Sequence, residues 1–155
     1  MAVPVSNGIY HPCSVRLKSG VHVDCVYFAE AARWYEMWGI WPEADRGKFA
    51  ISLDDVDSIE PSPSRLPVEF AEKLYAAGES GMGYTIFTVV FADGARQAYG
   101  GGNAIDFVDY PLFQSAETVV DVLPHAGSDD LKIKNAPKYF WCLFANPCDD
   151  KEAKR

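Results

Sequence analysis

From Cys13 to Phe28 the chain alternates apolar and polar side chains almost residue by residue. Val15, Leu17, Val21, Val23, Cys25 and Tyr27 fall on odd positions, with Arg16, Lys18, His22 and Asp24 between them. Extended backbone turns successive side chains to opposite faces, so this spacing produces strands with one apolar face and one wet face. Ser19-Gly20 interrupts the alternation as a turn does, which predicts a β-hairpin. A lone hairpin is barely stable in water, so the rest of the chain must supply strands or a helix to cover that apolar face.

Further strands are predicted downstream. Phe49–Ile59 has strand character and is stopped by Pro61-Ser62-Pro63-Ser64. Tyr84–Phe91 and Ala95–Tyr99 flank Asp93-Gly94, a strong hairpin signal. Gly100–Asn103 is expected as a turn, and Ile105–Val108 and Thr118–Leu123 as strands. Lys138–Phe144 is a dense aromatic strand with no polar face, expected between two packed layers or against another chain. One clear helix is predicted over Pro67–Ala77. Proline suits a helix start, Phe70, Leu74 and Ala77 form a stripe, and Gly78 ends it. The tryptophan-rich stretch Ala29–Lys48 is either a short helix over Glu30–Met37 or a long aromatic loop.

The expected fold is therefore mainly β, with α+β character at the margin. Its parts are an N-terminal β unit over 1–64, a connecting helix over 65–80, a C-terminal β unit over 81–148 and a disordered tail over 149–155. The two β units also show a possible repeat. A hairpin at Lys18-Ser19-Gly20 leads to Ser52, Val56, Ile59 and Pro61, and one at Ala92-Asp93-Gly94 leads to Ser115, Val119, Val122 and Pro124. The serine, the apolar pair and the proline fall at the same offsets in both. The hairpin Val15–Val26 followed by Ile51–Ile59 resembles the strand order of SH3-like and Sm-like small barrels. The resemblance rests on alternation plus one glycine and implies shape only. The Asp/Asn-containing motif with which Sm-like rings contact RNA is not found.

Composition narrows the function classes. With 155 residues, 48% apolar and 23% charged, the chain is suited to a packed core and is too apolar for disorder. Its net charge of −8, from 14 basic and 22 acidic residues, disfavours nucleic acid and anionic membranes as partners. The N-terminus lacks a charged and apolar leader pattern, and no apolar run approaches the ~20 residues of a membrane span. Cytoplasmic location with reduced thiols is the expectation, since Cys13, Cys25, Cys142 and Cys148 have no CxxC spacing.

No residue set carries an obvious chemistry, and no cofactor or metal is expected. Cys25 with Asp24 and His22 or His125 could be written as a nucleophile with its base, but no helix N-terminus follows the cysteine to activate it. Asp54, Asp55 and Asp57 with Glu60, and Asp106 with Asp109, could be read as metal ligands or paired carboxylates, though the EF-hand spacing is absent. Gly100–Gly102 lacks the lysine and helix of a phosphate loop. The aromatics remain, at 14% of the chain. Trp34, Tyr35, Trp38 and Trp41, with Tyr139 and Trp141, are the candidate binding residues, because large rings bury much area at low entropy cost. The expected role is a non-enzymatic binding or assembly module that forms a homo-oligomer. The alternative is a small metal-dependent or cysteine hydrolase using the Asp54–Asp57 or Cys25/His22 region.

Overall fold

Two glycine turns start the two halves of the fold. In the computed structural model, which describes residues 4–41, 44–45, 48–130 and 132–145, Gly20 and Gly94 sit at φ +89° and +87°. A side chain there would be strained, so glycine suits both tight turns. Gly20 closes the hairpin of β1 (His11–Leu17) and β2 (His22–Glu30), and Gly94 closes that of β5 (Thr85–Phe91) and β6 (Arg96–Gly101).

The chain divides into two compact units. The first holds residues up to Ser62 and the segment from Tyr139 onward; the second is Pro63–Lys138. This differs from the expected sequential division. The last strand, β9 (Phe140–Phe144), belongs to the first unit, because it pairs in parallel with β2 from Val26–Phe140 to Glu30–Phe144. The helix expected as a connector is α2 (Val68–Ala77), and it lies inside the second unit. The charged tail lies outside the described residues.

The protein is mainly β, with two mixed sheets. In the first, β3 (Phe49–Ala50) and β4 (Val56–Glu60) complete the order β3-β9-β2-β1-β4. In the second, β7 (Val119–Pro124) and β8 (Lys134–Asn135) give β7-β5-β6-β8. Among the described residues neither sheet closes into a barrel. Four backbone bonds around the two hairpin turns correspond. In the first, Leu17 N–H donates to Val21 O, Gly20 to Leu17, Lys18 to Asp55 and Asp55 to Ser52. In the second, Phe91 donates to Ala95, Gly94 to Phe91, Ala92 to Thr118 and Thr118 to Ser115. Each ladder then adds its last strand in parallel to the second hairpin strand.

Three local expectations are corrected. Phe49–Ile59 is not one strand: a 3-10 turn at Leu53–Asp55 separates β3 from β4. Ile105–Val108 forms a single bridge, Phe107 to Arg65, in place of a strand. Gly100 and Gly101 continue β6 opposite Ile86 and Thr85 and do not form a turn.

The cores follow from the side-chain periods. On β5, Phe87, Val89 and Phe91 share one face, where they meet Leu66 and Leu74 with Phe70 and Tyr75 from α2. Full burial of such a side chain stabilises by roughly 1.5–3 kcal/mol. In the first unit the alternation changes parity. A bulge at Asp24-Cys25, with Cys25 at φ +59°, inserts one residue opposite β1. Beyond it Val26 and Phe28, not Tyr27, pack with Cys13, Val15 and Cys142 in one cluster. Tyr27 turns to the opposite face. Asp24 Oδ1 holds the bulge by accepting from Ser14 Oγ at 2.6 Å, Ser62 Oγ at 2.5 Å and Cys25 N–H at 2.8 Å.

Candidate aromatic site

The tryptophan-rich stretch contains a helix, α1 (Ala31–Trp38), which ends at Gly39 in the left-handed region. A helix places residues four apart on one face, so Trp34 and Trp38 point together and Tyr35 does not. Trp34 and Trp38 meet Trp141 of β9 edge to face, with centroids at 5.7 and 6.0 Å. Tyr27 stacks on Trp141 at 4.8 Å, and Tyr10 and Tyr139 pack on the same ring at 5.2 and 5.8 Å. Trp34, Tyr10, Tyr27 and Trp141 are all buried. Lys48 Nζ sits 4.5 Å over the Trp38 ring while paired with Asp45 at 2.7 Å.

The six candidate aromatics therefore divide. Trp34 and Trp141 form the centre of a ring cluster, with Trp38 and Tyr139 half-buried at its margin. Tyr35 and Trp41 stack on each other at 4.7 Å and remain 43% and 45% exposed. Met37, Ile40 and Phe49 are also exposed. Among the described residues, the indole N–H groups of Trp34, Trp38 and Trp141 have no hydrogen-bond partner. Each such donor costs about 1–3 kcal/mol, which the packed ring area must outweigh.

The chemical candidates are distributed differently. Asp54 and Asp55 line a cleft of about 540 Å³ with Ala50–Leu53, Trp141 and Leu143, and Asp57 is not among its lining residues. Among the described residues, no group of three or more His, Cys, Asp or Glu side chains is placed to hold a metal. His22 faces Glu60 at 3.7 Å, and Cys25 is buried in its bulge. Cys142 is buried too, which pushes its thiol up to about 11. Cys148 lies outside the described residues. His125 is engaged by Ser80, whose Oγ lies 2.7 Å from His125 Nδ1, and by the Ala77 carbonyl at 3.2 Å from Nε2. Ser80 Oγ also accepts from Ile86 N–H at 2.8 Å, so this pair ties the end of α2 to β5 and β7.

The chain matches no family model, no curated protein and no solved structure. Its site must be judged from its own geometry. No helix among the described residues is long and apolar enough to cross a membrane. Two features escaped the sequence reading. The tyrosines Tyr10 and Tyr27 complete the ring cluster, and the bulge that turns Tyr27 toward it has no local signature. Leu112 and Phe113 are 82% and 91% exposed on a turn; their one signal was a pair of large apolar residues directly after Pro111.

Proposed function

We propose that this protein is a non-enzymatic binding or assembly module that self-associates through the outward aromatics of its first unit. The observation that carries this reading is the stacked pair Tyr35–Trp41, left nearly half exposed on a segment that also exposes Met37 and Ile40. Exposed rings in such a group gain most by meeting a partner. Trp34 and Trp38 support the reading by anchoring the same segment on Trp141, so the outer rings are presented with little conformational freedom to lose. Trp141 and Tyr139 then act as the platform beneath the contact.

The same ladder in both units supports a second inference about the fold. We infer that the chain is a tandem of two SH3-like elements, each a hairpin, a 3-10 turn, a third strand beside the first and a parallel strand beside the second. In each, the connection from the second hairpin strand to the 3-10 turn carries exposed apolar side chains, Tyr35 and Trp41 in one and Leu112 and Phe113 in the other. A cytoplasmic homo-oligomer is the reading, on cysteines that show no CxxC spacing.

Sedimentation velocity across the micromolar range tests the proposal. A mass that rises with concentration is expected, and Tyr35→Ser with Trp41→Ser should weaken association roughly tenfold or more. A wild-type chain that stays monomeric removes the reading. Stoichiometric Mg²⁺ in the Asp54–Asp55 cleft would instead favour a metal-dependent hydrolase.

A further inference from the structure

Pro111 O accepts from Gln114 N–H at 3.0 Å, closing a four-residue turn whose two central residues are Leu112 and Phe113. Phe113 stands at φ +69°, where turns ordinarily take glycine or asparagine because a Cβ is strained there. The turn therefore holds a bulky ring in an unfavourable backbone conformation and leaves it 91% exposed, with Leu112 beside it at 82%. Neither side chain is used by the core, and strain kept without a packing return is characteristic of functional positions.

Both ends of the turn are braced. Tyr110 packs against the core and its hydroxyl donates to Arg65 O at 2.9 Å. Burial pushes the Tyr110 phenol well above its ordinary range, so it stays a neutral donor. On the other side Gln114 Nε2 donates to Asp93 at 2.9 Å and its Oε1 accepts from Thr118 Oγ1 at 2.8 Å. The two apolar side chains thus project from a fixed base.

The surroundings identify the kind of partner. From Gln97 to Leu131 the sequence has no lysine or arginine, and Asp93, Asp109 and Glu117 flank the turn in sequence or by hydrogen bonding, while Arg65, which braces Tyr110, is half-buried. An anionic lipid surface would be repelled by these charges. A second copy is disfavoured too, since the apolar groove of this same unit, lined by Phe70, Val119 and Val120, carries Glu69 and Glu117. We propose that the Leu112–Phe113 turn is a docking tip for a different protein, one that offers an apolar socket rimmed by lysine or arginine. This partner is distinct from the self-association proposed above, and either can fail without the other.

A random peptide library displayed on phage is the probe, with anionic phospholipid vesicles and the chain itself as competitors. Peptides that combine apolar residues with flanking Lys or Arg should be enriched. As synthetic peptides they should lose roughly tenfold affinity or more with Phe113→Asn or Leu112→Ser and bind more weakly as salt rises. Phe113→Asn should hold or raise the melting temperature, because asparagine tolerates the left-handed region. The proposal is overturned by enrichment of no such peptide, by binding indifferent to both substitutions, or by tip-dependent binding to vesicles or to a second copy. A melting temperature that falls by more than a few degrees with Phe113→Asn would equally overturn it, by making the ring a support of the fold.

Discussion

Trp34 meets Trp141 edge to face at 5.7 Å, and through this contact helix α1 is fastened to the strand β9. The neighbouring residue Tyr35 faces the other way, stacked on Trp41. One residue step, about 100° around the helix, therefore separates a structural tryptophan from an exposed tyrosine, and the two should respond differently to mutation.

Trp34→Ala or Trp141→Ala should each destabilise the first unit by about 3–5 kcal/mol, because a buried ring is replaced by a cavity. Tyr35→Ser and Trp41→Ser should each change monomer stability by less than about 1 kcal/mol. Urea unfolding at low protein concentration measures both. Equal losses at all four positions would mean that the outer pair also belongs to the core.

Asp24→Ala should cost roughly 3 kcal/mol, since Ser14, Ser62 and Cys25 N–H all lose a charged acceptor. The accompanying change should be local, with slowed exchange lost at the amides around Cys25. Hydrogen exchange read residue by residue checks it, and an unchanged Cys25 amide would remove Asp24 as the keeper of the bulge.

The second unit should lose stability in acid. Asp93 is held below the ordinary 3.8 chiefly by the Ala95 N–H and then by Gln114, and Asp121 chiefly by the hydrogen bond from Lys73. A carboxyl lowered in the folded state stabilises above its unfolded pKa, and that contribution is lost as pH falls through the folded value. Stability should be flat above about pH 5 and decline below about pH 4. Asp121→Asn should flatten part of that decline, and an unaltered acid limb in the variant would count against the Lys73 bond.

Cys13, Cys25 and Cys142 should resist a soluble disulfide reagent at neutral pH until denaturant is added, because all three are buried. The Cys142 thiol, raised to about 11, is in addition almost wholly protonated there. Rapid modification of Cys25 in the folded protein would reopen the cysteine hydrolase reading.

Much of the local structure was legible from residue order alone. Ser19-Gly20 and Asp93-Gly94 marked both hairpins because a tight turn makes its demand on the residues within it. Pro67, the apolar stripe and Gly78 marked α2 for the same reason. The candidate site was only half legible. The four-residue spacing of Trp34 and Trp38 could have separated them from Tyr35 once a helix was accepted, whereas Trp41 lies beyond the helix and its stacking on Tyr35 is a tertiary contact.

Periodicity and turn chemistry by themselves determined that this chain builds antiparallel hairpins with apolar faces and one amphipathic helix, since those preferences act over a few neighbouring residues. Folding in three dimensions decided the rest. The face taken by Tyr27 depends on a bulge held by Ser62, and the role of Trp141 depends on a parallel pairing with a strand more than a hundred residues earlier. Such pairings are selected by the closure of long loops around a shared core, and their cost and reward are spread over residues that no local pattern joins.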